Sequence, residues 1–345
     1  MPTINFALNA VVPLILMIGL GYALKKIKFI TKEFASVGNK MVFRVLLPIT
    51  LFNNIYSIQS LSNVDWTAVI FAVCGIVGIF AIGVIIALTL IKNKNQRGAI
   101  VQCLFRSNYA IIGIPLAQMI AGTEGMQVAS VLSAFTIPTF NILAVITLSF
   151  FQPQKPTKAP NGESENNGEE SKKDLQSPLK RTLIGIAKNP LILGVVSGLI
   201  AIGIRALFVK FDVSFRLSNV KFLYDTLTKL SNVTTPFALI ILGAQFEFAS
   251  LKKDVLTVVI TTLARTALVP AVTLLIAGVF FKFSPGVIAS LVAVFASPVA
   301  VSSAIMAQEM NADADLARSL VVSTTIASAP FLVIIIAILR AVALV

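Results

Sequence analysis

Two halves of this chain echo each other at a nearly constant distance, and that regularity limits the folds open to it. Pro48, in a second apolar stretch, has a counterpart at Pro236. Ser107 and Asn108, in a fourth, stand opposite Ser297 and Pro298 in a ninth, and Thr136-Ile137, in a fifth, returns as Thr325-Ile326 in a tenth. The offsets are 188, 190 and 189 residues. Pro13-Leu14-Ile15-Leu16 also recurs as Pro190-Leu191-Ile192-Leu193, at an offset of 177. Each copy holds five hydrophobic segments. Five crossings is an odd number, so two such copies in one bilayer must lie in opposite orientations.

The bilayer itself follows from composition. Hydrophobic residues make up 57% of the chain and charged residues 12%, with a mean hydropathy of +0.90, unlike an ordinary soluble domain. Runs of about 20 apolar residues, enough to cross a membrane, fall near 6–24, 38–56, 66–91, 98–121, 127–151, 190–209, 228–248, 254–281, 285–308 and 317–343. They are rich in Leu, Ile, Val and Ala without strict alternation, which predicts helices and excludes an outer-membrane barrel. Only Met1, Pro2, Thr3, Ile4 and Asn5 precede the first run, with no basic region, so it is expected to remain as a membrane segment.

A net charge of +13 invites a nucleic-acid reading, but its distribution argues against one. Nineteen basic residues fall in the odd-numbered loops, among them Lys25, Lys26, Lys28, Lys92, Lys172 and Lys252, and seven in the even loops and tail. That bias places the odd loops in the cytoplasm and both termini outside a plasma membrane. The sixth loop departs from it, with Phe208, Phe211, Phe215 and Phe222 interleaved with Lys210, Arg216 and Lys221, a pattern suited to an interfacial amphipathic segment. Between the repeats, residues 152–177 read QPQKPTKAPNGESENNGEESKKDLQS, too poor in apolar groups to order themselves. The expected organisation is a first five-helix repeat over 1–151, a disordered cytoplasmic linker over 152–181 and an inverted second repeat over 182–345.

Several chemistries are excluded early. The chain has no histidine, which removes imidazole metal sites, Ser-His triads and imidazole proton relays. Cys74 and Cys103 lie inside hydrophobic segments without metal-ligand spacing, and no phosphate-binding Walker loop is present. No metal, cofactor or enzymatic activity is expected.

The residues that carry chemistry should lie where helices are interrupted. Segment four runs Ser107-Asn108-Tyr109-Ala110-Ile111-Ile112-Gly113-Ile114-Pro115, and segment nine runs Ala296-Ser297-Pro298-Val299-Ala300-Val301-Ser302-Ser303. Gly113 and Pro115 in one, and Pro298 in the other, suggest broken helices at related positions. Irregular backbone at membrane depth survives only where protein or a water-filled cavity satisfies it. Two breaks that cross would aim half-helix N-termini at one point, forming an anion site that needs no metal. Inverted repeats with interrupted helices and a mid-membrane site are the pattern of secondary transporters.

These stretches also carry a resemblance. "SNYAIIGIPL" and "ASPVAVSSAIMAQEMNADADLARSLVVSTTIAS", with ten segments and a central hydrophilic loop, resemble the auxin efflux carrier family in its shorter bacterial form. Plant members of that family export auxin, and bacterial relatives are linked to malate, malonate and similar carboxylates. The resemblance implies an all-helical fold akin to bile-acid symporters and NhaA-type antiporters, with helices four and nine crossing. It also implies a scaffold of helices one, two, six and seven through which two chains would pair, and a moving domain made of the other six. Asn108 and Pro115 match the family's first crossover and Pro298 its second. The acidic residue that sodium symporters of this fold place beside the crossover has no counterpart next to Pro298.

Substrate contacts are therefore expected from Ser107, Asn108, Gly113, Pro115, Ser297, Pro298 and Ser302, joined by the deep polar residues Asn53, Asn54, Asn141 and Gln245. Each of these last four reads equally as interhelical glue, worth about 1 kcal/mol. Arg265 lies 13 residues beyond Lys252, roughly 20 Å along a helix, too deep for easy snorkelling. It and Arg106 either attract an anionic substrate or pair with carbonyl ends of the broken helices. Acidic residues sit near segment ends, and only Glu309 offers a coupling site for a cation. The function expected is movement of a small organic anion by alternating access of the elevator type, as efflux or exchange. The alternatives are an ion-coupled carboxylate symporter, a ligand-sensing receptor on the same fold and, third, a channel. The topology has a direct check in a cysteine-free background. A cysteine at position 2 should react with an impermeant maleimide added to intact cells, and one at position 165 should not.

Overall fold

A computed structural model describes residues 2–57, 65–152, 188–211, 215–249 and 254–345. All of the predicted linker except Gln152, and part of the sixth loop, lie outside these. Among the described residues the regular structure is entirely helical. Helix α1 spans Pro2–Lys26. A second segment, Lys32–Tyr56, joins α2 (Lys32–Met41) to α3 (Leu47–Tyr56) through a wider π turn at Val42–Leu46. Then come α4 (Trp66–Thr89), α5 (Lys94–Phe105), α6 (Ile114–Phe150), α7 (Pro190–Lys210) and α8 (Lys221–Gln245). The eighth segment, Val255–Phe281, contains α9 (Val255–Leu263) and α10 (Val269–Ile276), and the last three helices are α11 (Pro285–Ala296), α12 (Ser302–Glu309) and α13 (Ala314–Ala341).

Seven of these runs are long and apolar enough to cross a membrane, and one of them needs dividing. Lys94–Phe150 is 57 residues, roughly 85 Å if straight, far more than one crossing requires. It folds back at Ala121 and Gly122, where Gly122 takes φ 59° and ψ −142°, a conformation open essentially to glycine alone. The run therefore supplies segments four and five. With α1, and with segment nine built from α11 and α12, the described helices group into ten segments.

Helix starts are written locally. Asp65 accepts from the Ala68 amide, Asn93 from Asn95, Asn189 from Leu191, Ser284 from Val287 and Asp313 from Leu316. Each cap satisfies an amide that has no partner within its own helix. Outward faces carry large apolar side chains, such as Leu16, Ile70, Leu256 and Leu275, as expected of surfaces that meet lipid.

The segments pack in two groups. Helix α1 packs against α8, and α3 against α7 and α8, so segments one, two, six and seven form one cluster. Segments three, four, five, eight, nine and ten form the other, centred on the contact of α11 with α6. Backbones approach closely in the first group: a Cβ on Gly21 would lie 2.0 Å from the Ile240 carbonyl oxygen, and one on Gly243 only 1.9 Å from that of Ile18. Small residues permit such approach where apolar burial gives helices no drive to associate in lipid.

The two groups also touch through polar links. Asn39 donates to the Ile305 carbonyl and, at 2.8 Å, to Glu309 Oε1, and Arg318 donates to Gln245 Oε1 at 3.3 Å. A substitution at the α1–α8 seam separates packing from general tolerance. Gly243→Ala should cost about 1–3 kcal/mol, as overpacking does, and lower the melting temperature in detergent. Gly19→Ala, where an added Cβ has nothing within 4 Å, should leave it unchanged.

Candidate functional site

Helix α5 ends at Phe105, and Arg106 and Ser107 run on in non-helical backbone before a π turn, Tyr109–Gly113, leads into α6. Helix α11 ends at Ala296, and Ser297 is likewise extended before α12 opens at Ser302. The two breaks meet. The Asn108 amide donates to the Pro298 carbonyl at 2.8 Å, and the Val299 amide donates to Thr324 Oγ1 at 3.3 Å.

The first break falls earlier than its proline suggested. Pro115 sits in the first turn of α6, where a missing N–H costs no hydrogen bond, and it is exposed. Gly113 contributes room instead of a hinge: a Cβ there would lie 3.1 Å from the Ala293 carbonyl oxygen and 2.8 Å from the Tyr109 ring. Neither residue enters the cavity described below.

Arg265, fully buried on the π turn Ala264–Leu268, organises the crossing. Its guanidinium donates to the Leu104 carbonyl at 3.2 Å, to that of Val294 at 3.4 Å and to that of Ser297 at 2.8 Å. These carbonyls lie at the C-terminal ends of α5 and α11, where helices leave carbonyls unpaired and the dipole is negative. One side chain from segment eight thus caps both broken helices. Of the two readings open for Arg265, the geometry is that of carbonyl pairing.

Beside the crossing lies a cavity of about 100 Å³ between the two groups of segments. Segments two and seven contribute Thr50, Asn54, Thr234 and Thr235 with the apolar Leu47, Leu51 and Ala238. The other group contributes Arg106, Ser107, Asn108, Asn141 and Ser302, with Ile137 and Phe140 as apolar wall. Tyr109, Ala110 and Ile111 on one side and Ala300 and Val301 on the other also line it, and these residues open the second half-helices. First-turn amides and the positive dipole ends therefore face this space.

Two polar groups stand out. Arg106 is 2% exposed and donates to Gln102 Oε1 at 2.9 Å, Asn141 Oδ1 at 2.8 Å and Ser302 Oγ at 2.8 Å. None of its partners is charged, and among the described residues no acidic one lines the cavity. Asn108 is 5% exposed and its Nδ2 has no hydrogen-bond partner. A buried amide left without an acceptor costs about 1–3 kcal/mol, a cost removed when something docks against it.

The other candidates lie elsewhere. Ser297 and Pro298 form the crossing through their backbone and do not line the cavity. Asn53 is buried within segment two, outside the cavity lining. Gln245 donates to the Ala35 carbonyl and borders a separate cavity of about 350 Å³ with Lys25, Gln308 and Arg318. Glu309 is absent from both cavity linings and accepts from Asn39. Thr50, Thr234 and Thr235 were not singled out from the sequence, although they flank the repeat-related prolines Pro48 and Pro236 within two residues. Thr50 donates to Thr234 Oγ1 at 2.8 Å, so these hydroxyls also tie segment two to segment seven.

Crossed, broken helices beside a polar cavity in a ten-segment bundle define the class: a multi-pass membrane transporter. The chain belongs to the membrane transport protein family, the auxin efflux carrier-like group, whose family model matches residues 6–336. Among solved structures it is similar to the sodium proton antiporter MjNhaP1 from Methanocaldococcus jannaschii. That similarity has a TM-score of 0.57 at 10% identity over 97% of each chain, a likeness of fold alone. No curated protein matches it by sequence.

The two arginines should separate by experiment. Arg265→Met leaves three carbonyl contacts at membrane depth without their donor, and the loss should reach roughly 3 kcal/mol or more, read as a large fall in melting temperature. Arg106→Gln keeps a donor among neutral partners and should lower the melting temperature far less.

Proposed function

We propose that this protein is a secondary transporter of small organic anions carrying a carboxylate, working by elevator-type alternating access as an exporter or exchanger. The observation that carries the reading is the cavity at the crossing. It holds one buried arginine, the unpartnered side-chain amide of Asn108 and half-helix N-termini, with no acidic side chain among the described residues that line it. Everything polar that faces inward from the crossing favours negative charge.

The elevator component rests on where the cavity's walls belong. Thr50, Asn54, Thr234 and Thr235 lie in the group formed by segments one, two, six and seven, while Arg106, Asn108, Asn141 and Ser302 lie in the other. Arg265 and every acceptor it reaches lie within that second group, so the crossing travels as a unit. The Asn39–Glu309 and Gln245–Arg318 links join the two groups near the end rich in basic residues, and they would open as the site turns to the cytoplasm. Transport without an obligatory cation is supported by the cavity's lack of a carboxylate, since a buried cation needs a counter-charge. With the cell interior negative, each anion leaving gains about 2.3 kcal/mol per 100 mV.

Tracer flux in proteoliposomes tests this directly. Saturable flux stimulated by substrate on the opposite side is expected, and a receptor on the same fold would show binding without flux. Asn108→Ala should weaken binding by roughly 1.5–3 kcal/mol, the loss of a hydrogen bond to a charged group, with little change in melting temperature. Asn108→Asp should be worse, because it sets a carboxylate against a carboxylate. Normal anion transport by the Asp variant would remove Asn108 from the site.

A further inference from the structure

We propose that the sixth loop, where segment six gives way to segment seven, is a docking surface for anionic phospholipid: its cations take headgroup phosphates and its phenylalanines enter the acyl chains beside them. The proposal goes beyond the transport reading and depends neither on the substrate nor on the direction of movement.

The loop carries charge that the cavity does not use. Between residues 205 and 229 the sequence sets five cations, Arg205, Lys210, Arg216, Lys221 and Lys229, against Asp212 and Asp225, a surplus of three. That surplus runs against the basic bias of the other loops. Arg205 is engaged at the end of segment two, donating to the Tyr56 carbonyl at 3.0 Å and lying over the Tyr56 ring. Lys210, Arg216 and Lys221 are exposed, and among the described residues none of the three pairs with a carboxylate. Asp212 lies outside the described residues.

Each of these three cations adjoins an exposed aromatic ring, as Lys210-Phe211, Phe215-Arg216 and Lys221-Phe222. Phe222 is 78% exposed and Phe211 71%, and Phe215 is half exposed beside Phe208, with ring centroids 6.2 Å apart. Rings of this kind favour the boundary of the acyl chains, and a basic side chain next to one reaches headgroup phosphate. A zwitterionic headgroup balances its phosphate with its own ammonium. An anionic one does not, so three cations together favour the anionic lipid.

The surface is also held in place. The Leu217 amide donates to Tyr56 Oη at 2.8 Å, and Tyr56 stacks on Phe52 and meets Tyr224 edge-on. Tyr56 closes α3 and Tyr224 opens α8, so the loop is fastened to segments two and seven. Lipid docked here grips the group that the proposed elevator leaves stationary.

Tryptophan quenching by brominated acyl chains tests this at the loop itself. The full-length protein carrying Trp66→Phe, which removes its single tryptophan, and Phe222→Trp is reconstituted in vesicles of phosphatidylcholine and phosphatidylglycerol in equal amounts. Bromine is placed on one lipid or on the other. The quenching should correspond to a several-fold preference for phosphatidylglycerol, and the preference should shrink as salt is raised. Lys210→Gln, Arg216→Gln and Lys221→Gln together should abolish it, whereas Lys92→Gln with Lys94→Gln, exposed cations of another loop, should leave it intact. Phe211→Trp reports from the same loop should the Phe222 variant fail to fold. Equal quenching by the two lipids overturns the proposal, as does a preference that survives loss of the three cations. Two other results overturn it as well. A triple variant that needs more carboxylate for half-maximal flux while keeping its lipid preference assigns the loop to substrate attraction, and exclusion of both brominated lipids from the tryptophan in a dimer assigns it to a second copy of the chain.

Discussion

Unpaired backbone groups are expensive in hydrocarbon, and the organisation of this protein follows from how two interrupted helices avoid that cost. Breaking α5 from α6 and α11 from α12 frees carbonyls and amides deep in the bundle. Arg265 takes the carbonyls of Leu104, Val294 and Ser297, and the Asn108 amide takes that of Pro298. Once the carbonyl ends are capped by a buried cation, the amide ends remain, and they are what the cavity is built around. The negative half of the crossing is neutralised internally, and in the proposed transport reading its positive half is left for an anion.

The two arginines thus divide one electrostatic problem. Arg265 turns both terminal nitrogens to backbone carbonyls and has no place in the cavity lining. Arg106, three residues of irregular chain away from the π turn, is held by neutral side chains and keeps its charge available. A carboxylate beside it would have collapsed that availability into an internal ion pair. The acidic residues stand instead at the ends of segments: Glu309 with Asn39, Asp315 with Arg318, and Glu247 with Lys25 at 3.5 Å. There they serve contacts between helices, where water can share the cost of the charge.

The proposed elevator movement would take place at the seam between the two groups of segments. Within the first group, Gly21 and Gly243 let α1 and α8 meet backbone to backbone, a fit that tolerates no sliding. Between the groups, α1 also packs against α13, and elsewhere the seam holds the cavity and a few side-chain bonds. Side-chain hydrogen bonds can be exchanged for water at modest net cost, whereas interlocked backbone contacts cannot be exchanged without separating the helices. The cavity lies on the seam where the proposed elevator movement would take place.

Much of this was legible in the sequence. Hydrophobic runs and the near-constant offset between Pro48 and Pro236, or Ser107 and Ser297, determine ten helices in two copies, because helix length and burial are local properties of the chain. The broken helices were legible too: segment nine breaks at Ser297 and Pro298 as its sequence suggests, whereas segment four breaks ahead of its proline. Pro115 marks the start of a helix and not its interruption, since a proline in a first turn forfeits no bond. What only the tertiary structure decided is which polar residues share a space. Asn53 and Asn54 are neighbours in sequence, yet only Asn54 reaches the cavity, and Arg106 and Arg265 read alike until their partners are seen. Position along a helix sets depth. Facing is set by rotation and by packing against helices up to two hundred residues away, which no local pattern encodes.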